Sequence, residues 1–251
     1  MKKLLCFPLL LLSLFAYAQE EDENTGKFRF GTYLGVLISY PGALDELNRQ
    51  LRDAQRLDVP SQITGVSLGF SQRFADQNSY IAPRLSYFQA TDMNDSEDHT
   101  RLSIWEFSVT SHYDLIPDKK WLAYPYLGLG LNHARLDLVL VTEADDFASS
   151  LQNIGQGAER ERYVSHGVMS FIDIGLGAER ALHFVDDVRV YLGVSGGYRL
   201  SFSEPWSIDG LRQFSGTNFS TQGWLLEIKL RSELVDPGRR SKKRGLIKHF
   251  Q

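Results

Sequence analysis

The sequence predicts an all-β chain, folded as an eight-stranded antiparallel transmembrane β-barrel. Three observations predict it: apolar residues recur at every second position through about eight segments, the links between those segments alternate between short and long, and the opposite face carries glycines and charges of both signs. Composition is consistent with this. Of the 251 residues 43% are hydrophobic and 12% aromatic, too many for a disordered chain, while a mean hydropathy of −0.25 and a single apolar run exclude a bundle of membrane helices. A net charge of −4 gives no electrostatic case for nucleic acid.

The apolar run is N-terminal. Lys2 and Lys3 precede Leu4 to Phe15, and Ala16-Tyr17-Ala18 supplies a small-x-small cleavage pattern, so residues 1–18 read as a secretory signal peptide. Cys6, the only cysteine, falls inside it after just two leucines, which does not fit a lipoprotein anchor. Cleavage removes two lysines and no acid, taking the net charge from −4 to −6 and leaving no disulfide to hold the exported chain together. An acidic linker, 19–26, follows.

From residue 27 to 234 the period is two. Phe28, Phe30, Leu34, Val36, Ile38 and Tyr40 alternate with Lys27, Arg29, Gly31, Gly35 and Ser39. The same alternation places Val66, Leu68 and Phe70 on the second strand, Ile81, Pro83, Leu85 and Tyr87 on the third, and Trp105, Phe107, Val109, Tyr113 and Leu115 on the fourth. Leu127, Leu129 and Leu131 mark the fifth, Ile172, Ile174 and Leu176 the sixth, Val190, Leu192 and Val194 the seventh, and Trp224, Leu226, Ile228 and Leu230 the eighth. Each segment is near the length of roughly ten residues that a tilted membrane-spanning strand needs.

The links after strands two, four and six are short (75–78, 116–120, 182–187), whereas those after one, three, five and seven are longer (41–63, 91–100, 141–165, 201–222). This sorting predicts short periplasmic turns, long extracellular loops and both termini in the periplasm of an outer-membrane barrel. On the polar face Arg73, Arg84, Arg189, Arg199, Lys229 and Arg231 are expected to meet Glu106, Asp173, Glu179 and Glu227 as an interior salt-bridge network rather than as a pore lining, since eight strands enclose little more than their own side chains.

The segment Tyr124-Pro125-Tyr126-Leu127-Gly128-Leu129-Gly130-Leu131 resembles the Pro-Tyr-x-Gly-x-Gly strand of the small eight-stranded outer-membrane barrels, the opacity-like and OmpA-type transmembrane domains. Ile172 to Gly177 and Tyr191 to Tyr198 are similar in style. The resemblance spans the mature chain as a pattern and implies the barrel fold and an outer-membrane location. It departs from many relatives in running past its last strand into a basic tail, 235–251, with Arg239, Arg240, Lys242, Lys243, Arg244 and Lys248. That tail suits anionic head groups or cell-wall polymer as well as it suits a plain solvated extension.

Candidate chemistry is sparse. Ser165 and His166, expected at the extracellular start of strand six, form the one weak catalytic candidate, while His112 and Asp114 share a strand face near the periplasmic end, the wrong rim for work on outer-leaflet lipid. The histidines show no metal-ligand spacing, and no cofactor motif is present. In loop one, Leu44, Leu47, Leu51, Ala54 and Leu57 recur at helical spacing, which predicts a short amphipathic helix capping the barrel mouth or touching a partner. Loop two, 92–99, is acidic, and loop three carries Asp145, Asp146, Glu159 and Glu161; both read as solvated loops. The sequence favours a non-enzymatic outer-membrane barrel with a structural, adhesion or partner-complex role through its loops. Its expected partners are outer-membrane lipid and lipopolysaccharide, with an envelope protein complex as a further one and no nucleic acid. The alternatives are a lipid-modifying hydrolase or acyltransferase using Ser165 and His166, and a narrow channel.

Overall fold

The computed structural model describes residues 29–42, 44–53, 56–73, 78–93, 99–116, 120–141, 160–185, 188–203, 207–208, 212–213 and 220–234. The signal peptide, acidic linker and basic tail, with Phe28 and the loop-three acids 145, 146 and 159, lie outside them. The elements are β1 (Arg29–Pro41), α1 (Leu44–Asp53), β2 (Ile63–Arg73), β3 (Ser79–Met93), β4 (His99–Tyr113), β5 (Trp121–Val141), β6 (Arg160–Val185), β7 (Val188–Ser203), β8 (Ser207–Ile208), β9 (Arg212–Gln213) and β10 (Gly223–Leu234). All pairings are antiparallel. Strands β1 to β7 and β10 form an eight-membered ring, closed by β1 against β10 and β5 against β6, while β8 and β9 are a two-rung annex on the outer end of β6.

The register fixes the shape of the ring. Cross-strand partners followed once around run Phe30, Gln72, Ile81, Ser111, Leu127, Ile174, Tyr198, Trp224 and back to β1 at Tyr40. The walk closes at Tyr40, having begun at Phe30 on the same strand, so the sheet is sheared by ten residues. Such a shear tilts the strands by about 40° and leaves a lumen that side chains fill.

The outward face carries an apolar belt. Leu34, Val36, Leu68, Leu85, Leu127, Ile174, Leu192 and Ile228 all face out and are about half exposed or more. Aromatic residues bound it: Phe30, Tyr113 and Trp121 toward the short-turn end, and Tyr40, Trp105 and Trp224 toward the long-loop end. From Phe30 to Tyr40 the strand rises about 33 Å, or about 25 Å of height at that tilt, the thickness of an outer-membrane apolar band.

Two expectations need correction. β5 and β6 are 21 and 26 residues long, not about ten, and residues 160–165, expected in loop three, are in strand. The link between β3 and β4 spans only residues 94–98, within the length range of the short turns 74–78, 114–120 and 186–187, so the loop alternation is not strict. Both have one cause. β3 to β6 continue past the aromatic level as a raised wall, and there the polarity of the two faces inverts. On β5 His133 and Arg135 now point out while Ala134 and Leu136 are buried inside; on β4 Arg101 and Ser103 point out over buried Leu102 and Ile104. An alternation that keeps its period but reverses its phase does not register as one continuous strand.

Candidate functional site

The inward-facing side chains form three layers. At the short-turn end Tyr80, Leu122, Tyr124 and Tyr191 make a buried cluster into which His112 packs, its ring 4.3 Å from that of Tyr80 and 4.7 Å from that of Tyr124. Glu179 is the anionic centre of this layer. It accepts hydrogen bonds from the Tyr124 hydroxyl at 2.8 Å and Arg231 Nε at 2.7 Å, and Lys229 Nζ lies 3.1 Å away. Arg231 also reaches Glu233 at 3.2 Å and lies over the Tyr191 ring at 4.3 Å, while Arg73 pairs with Asp114 at 3.2 Å.

The middle layer is ionic. Arg199 grips Asp173 with two parallel hydrogen bonds, donates Nη1 to Glu106 Oε2 at 2.5 Å, and stacks on Phe171 with its guanidinium carbon 3.8 Å from the ring centre. Arg84 donates Nη2 to Glu106 at 2.9 Å, with Asp173 at 3.4 Å and Glu227 at 3.7 Å. Glu227 in turn accepts from Ser67 at 2.7 Å and Ser195 at 3.3 Å. Each of these charged groups is at least nine-tenths buried, and each is hydrogen-bonded, which burial away from solvent requires.

The third layer is apolar and closes the long-loop end. The apolar stripe of α1, Leu44, Leu47 and Leu51, is buried against Leu37, Ile63, Phe88, Leu102, Ile104 and Met169 from the surrounding strands. Of the two roles expected for this helix, the geometry gives the cap. Asn48, on the same stripe, exchanges two hydrogen bonds of 2.8 Å with the Val59 backbone, and Thr100 Oγ1 donates to the Leu57 carbonyl at 2.9 Å, so the returning chain is tied to the helix and to β4. On the wet face of α1, hydrogen bonds from Arg49 and Gln50 hold the Glu46 carboxyl below its usual pKa.

The predicted ionic set meets largely as expected, with Arg189 half-buried on the inward face. Sequence reasoning left Asp114 and Glu233 out of that network, although both fall on the inward parity. It also passed over Asn48, whose signal was a polar residue on an apolar stripe.

The candidate pair is divided by strand geometry. Ser165 and His166 are adjacent in β6, so Ser165 lies on the inward parity and His166 on the outward one, in register with Arg135 and with its ring 5.3 Å from that of His133. His112 and Asp114 are both buried in the lumen. His112 Nε2 lies 2.6 Å from Thr110 Oγ1, and Asp114 binds Arg73. Among the described residues no group of three or more His, Cys, Asp or Glu could hold a metal ion.

No protein-family model and no curated protein matches this chain. Solved structures do. Neisserial surface protein A is 11% identical over 82% of this chain and 96% of its own, with a TM-score of 0.35. A major outer membrane protein from Thermus thermophilus is 14% identical over 82% and 98%, with a TM-score of 0.44. The attachment invasion locus protein of Yersinia pestis, in complex with the heparin analogue sucrose octasulfate, is 8% identical over 83% and 98%, with a TM-score of 0.37. By its eight strands, its shear of ten and its apolar outward belt, this chain has the fold of a small outer-membrane β-barrel.

Proposed function

We propose that this protein is a closed, non-enzymatic outer-membrane barrel that displays a rigid wall, β3 to β6, and the loops above it to the exterior for adhesion or for holding an envelope partner. The observation that carries the proposal is the inversion of polarity at the Tyr87–Trp105 level. Below it the outward face is apolar and the lumen charged; above it the outward face is polar and the inside apolar. A membrane that ends at that level accounts for both halves. The short turns and both termini then lie in the periplasm, and the signal peptide delivers the chain there.

A plugged lumen supports display rather than transport. The apolar cap, the ionic layer and the tyrosine layer occupy the lumen in series, and conduction through it would require displacing all three. Ser165 and His166 receive no catalytic part, because neighbouring residues of an extended strand aim at opposite faces. The experiment is surface labelling. An epitope inserted in 142–159 is expected to be stained on intact cells, and one placed in the basic tail only after permeabilisation. The reverse pattern, or staining of neither on a correctly exported protein, contradicts the proposal.

A further inference from the structure

The outward wall at the polarity boundary is shaped for an amphiphile. A groove of about 490 Å³ runs up the outside of β1 to β3, with Val36 and Val66 in its apolar floor and Tyr87, Gln89 and Thr91 along its side. Those three form a polar ladder: the Tyr87 hydroxyl donates to Gln89 Oε1 at 2.8 Å, and Gln89 Nε2 donates to Thr91 Oγ1 at 3.3 Å. The groove therefore begins within the belt and ends above it. At the boundary Tyr87 packs on Trp105, ring centres 4.7 Å apart.

Cations stand beside its upper end. Arg101 is exposed and directly in register with Thr91, and Arg135 is in register with Ser103, itself the partner of Gln89. Arg135 commits Nη2 to Asp137 at 3.0 Å and its Nε is buried, but 41% of its side chain stays exposed. Asp137 shares the outward parity and is the cross-strand partner of Arg101, so it lies between the two arginines; it is buried and leaves the pair a net positive charge. Apolar floor, interfacial aromatics and guanidinium groups follow one another upward in the order of acyl chain, ester region and phosphate in a lipid.

The geometry points to a binding site for one molecule of lipopolysaccharide, with an acyl chain in the Val36–Val66 groove and a lipid A phosphate held by Arg101 and Arg135. The inference rests on the outer-membrane orientation proposed above, since the site faces the outer leaflet only if the long loops are extracellular. The leaflet decides between lipid sources, because outer-leaflet lipid carries its phosphates on a sugar at this depth.

Native mass spectrometry of the full mature chain released from detergent micelles, with diphosphorylated lipid A as the probe, tests it. The natural protein is expected to retain one lipid A, and R101A/R135A to bind about tenfold more weakly. R101E, which leaves the Arg135–Asp137 pair intact, is expected to lose binding similarly, so a folding defect in the double variant does not decide the matter. R180A, at the opposite rim where Arg180 stacks on Trp121, is expected to bind normally. Equal retention by all variants overturns the site, and so does retention of phosphatidylglycerol or dephosphorylated lipid A as strong as that of lipid A. Each variant is first checked for the heat-modifiable gel shift of a folded barrel. Absence of the shift in the natural protein refutes the barrel itself, whereas its presence with indifferent lipid retention refutes only the site.

Discussion

Arg199 and Asp173 face each other across the β6–β7 ladder and close a fork in the middle of the lumen, Nε to Oδ1 at 2.7 Å and Nη2 to Oδ2 at 2.8 Å. Because Arg199 also holds Glu106, and Arg84 bridges Glu106 toward Glu227, the two guanidinium groups join strands on opposite sides of the ring. Asp173→Asn is expected to cost about 3–5 kcal/mol, since it leaves buried positive charge undercompensated. Urea titration of the protein refolded in vesicles, followed by tryptophan fluorescence, measures it. The swap D173R/R199D should recover part of the loss, and failure of D173N to lower the midpoint would contradict the network.

Glycine explains how tyrosines fit inside. Tyr33 is the cross-strand partner of Gly69, and a Cβ at Gly69 would run into the Tyr33 ring, 2.5 Å from Cζ. Gly69→Leu should therefore overpack the lumen, costing about 1–3 kcal/mol or preventing folding. Adding Tyr33→Ala should recover part of the loss, as read by the heat-modifiable shift, but not all of it, because that Cβ would also lie 2.5 Å from the Pro83 carbonyl oxygen. If G69L folds as readily as the natural chain, the close approach is not what the glycine is for.

The cap is a separable part. Asn48→Ala removes both hydrogen bonds to Val59 and should cost about 1–3 kcal/mol, seen as faster proteolysis between β1 and β2. Leu47→Asp should unseat α1 more completely. Planar-bilayer recordings of L47D should nevertheless stay silent, because the Arg84–Glu106–Arg199 layer still seals the lumen. A steady conductance in L47D would show that the cap alone closes the barrel.

The sequence carried the outward set and withheld most of the interior pairing. Leu34, Leu68 and Leu230 repeat at a period of two, and lipid, unlike a protein core, tolerates any of them in any order, so their pattern is undisguised. Which inward groups meet is set by the shear: Arg84 and Asp173 are 89 residues apart and become neighbours only once the register is fixed. The upper parts of β5 and β6 stayed hidden for another reason. Above the membrane level lipid no longer selects apolar outward residues, so Arg135 and Leu136 exchange the roles that polar and apolar residues hold lower down.

Depth dependence follows from the belt. Leu68 lies near its middle and Tyr40 at its edge, so Leu68→Arg should cost about 2–4 kcal/mol in vesicles and Tyr40→Arg about 0–1 kcal/mol. Equal costs at the two positions would mean that the outward face does not lie in lipid.

The most direct test of the membrane barrel is gel migration of the mature chain folded into vesicles, with and without boiling. The unboiled protein is expected to partition with the vesicles and to run at a different apparent mass from the boiled one, because a closed ring of eight strands resists detergent until heated. A chain that stays in the aqueous fraction and migrates identically in both lanes would contradict the account.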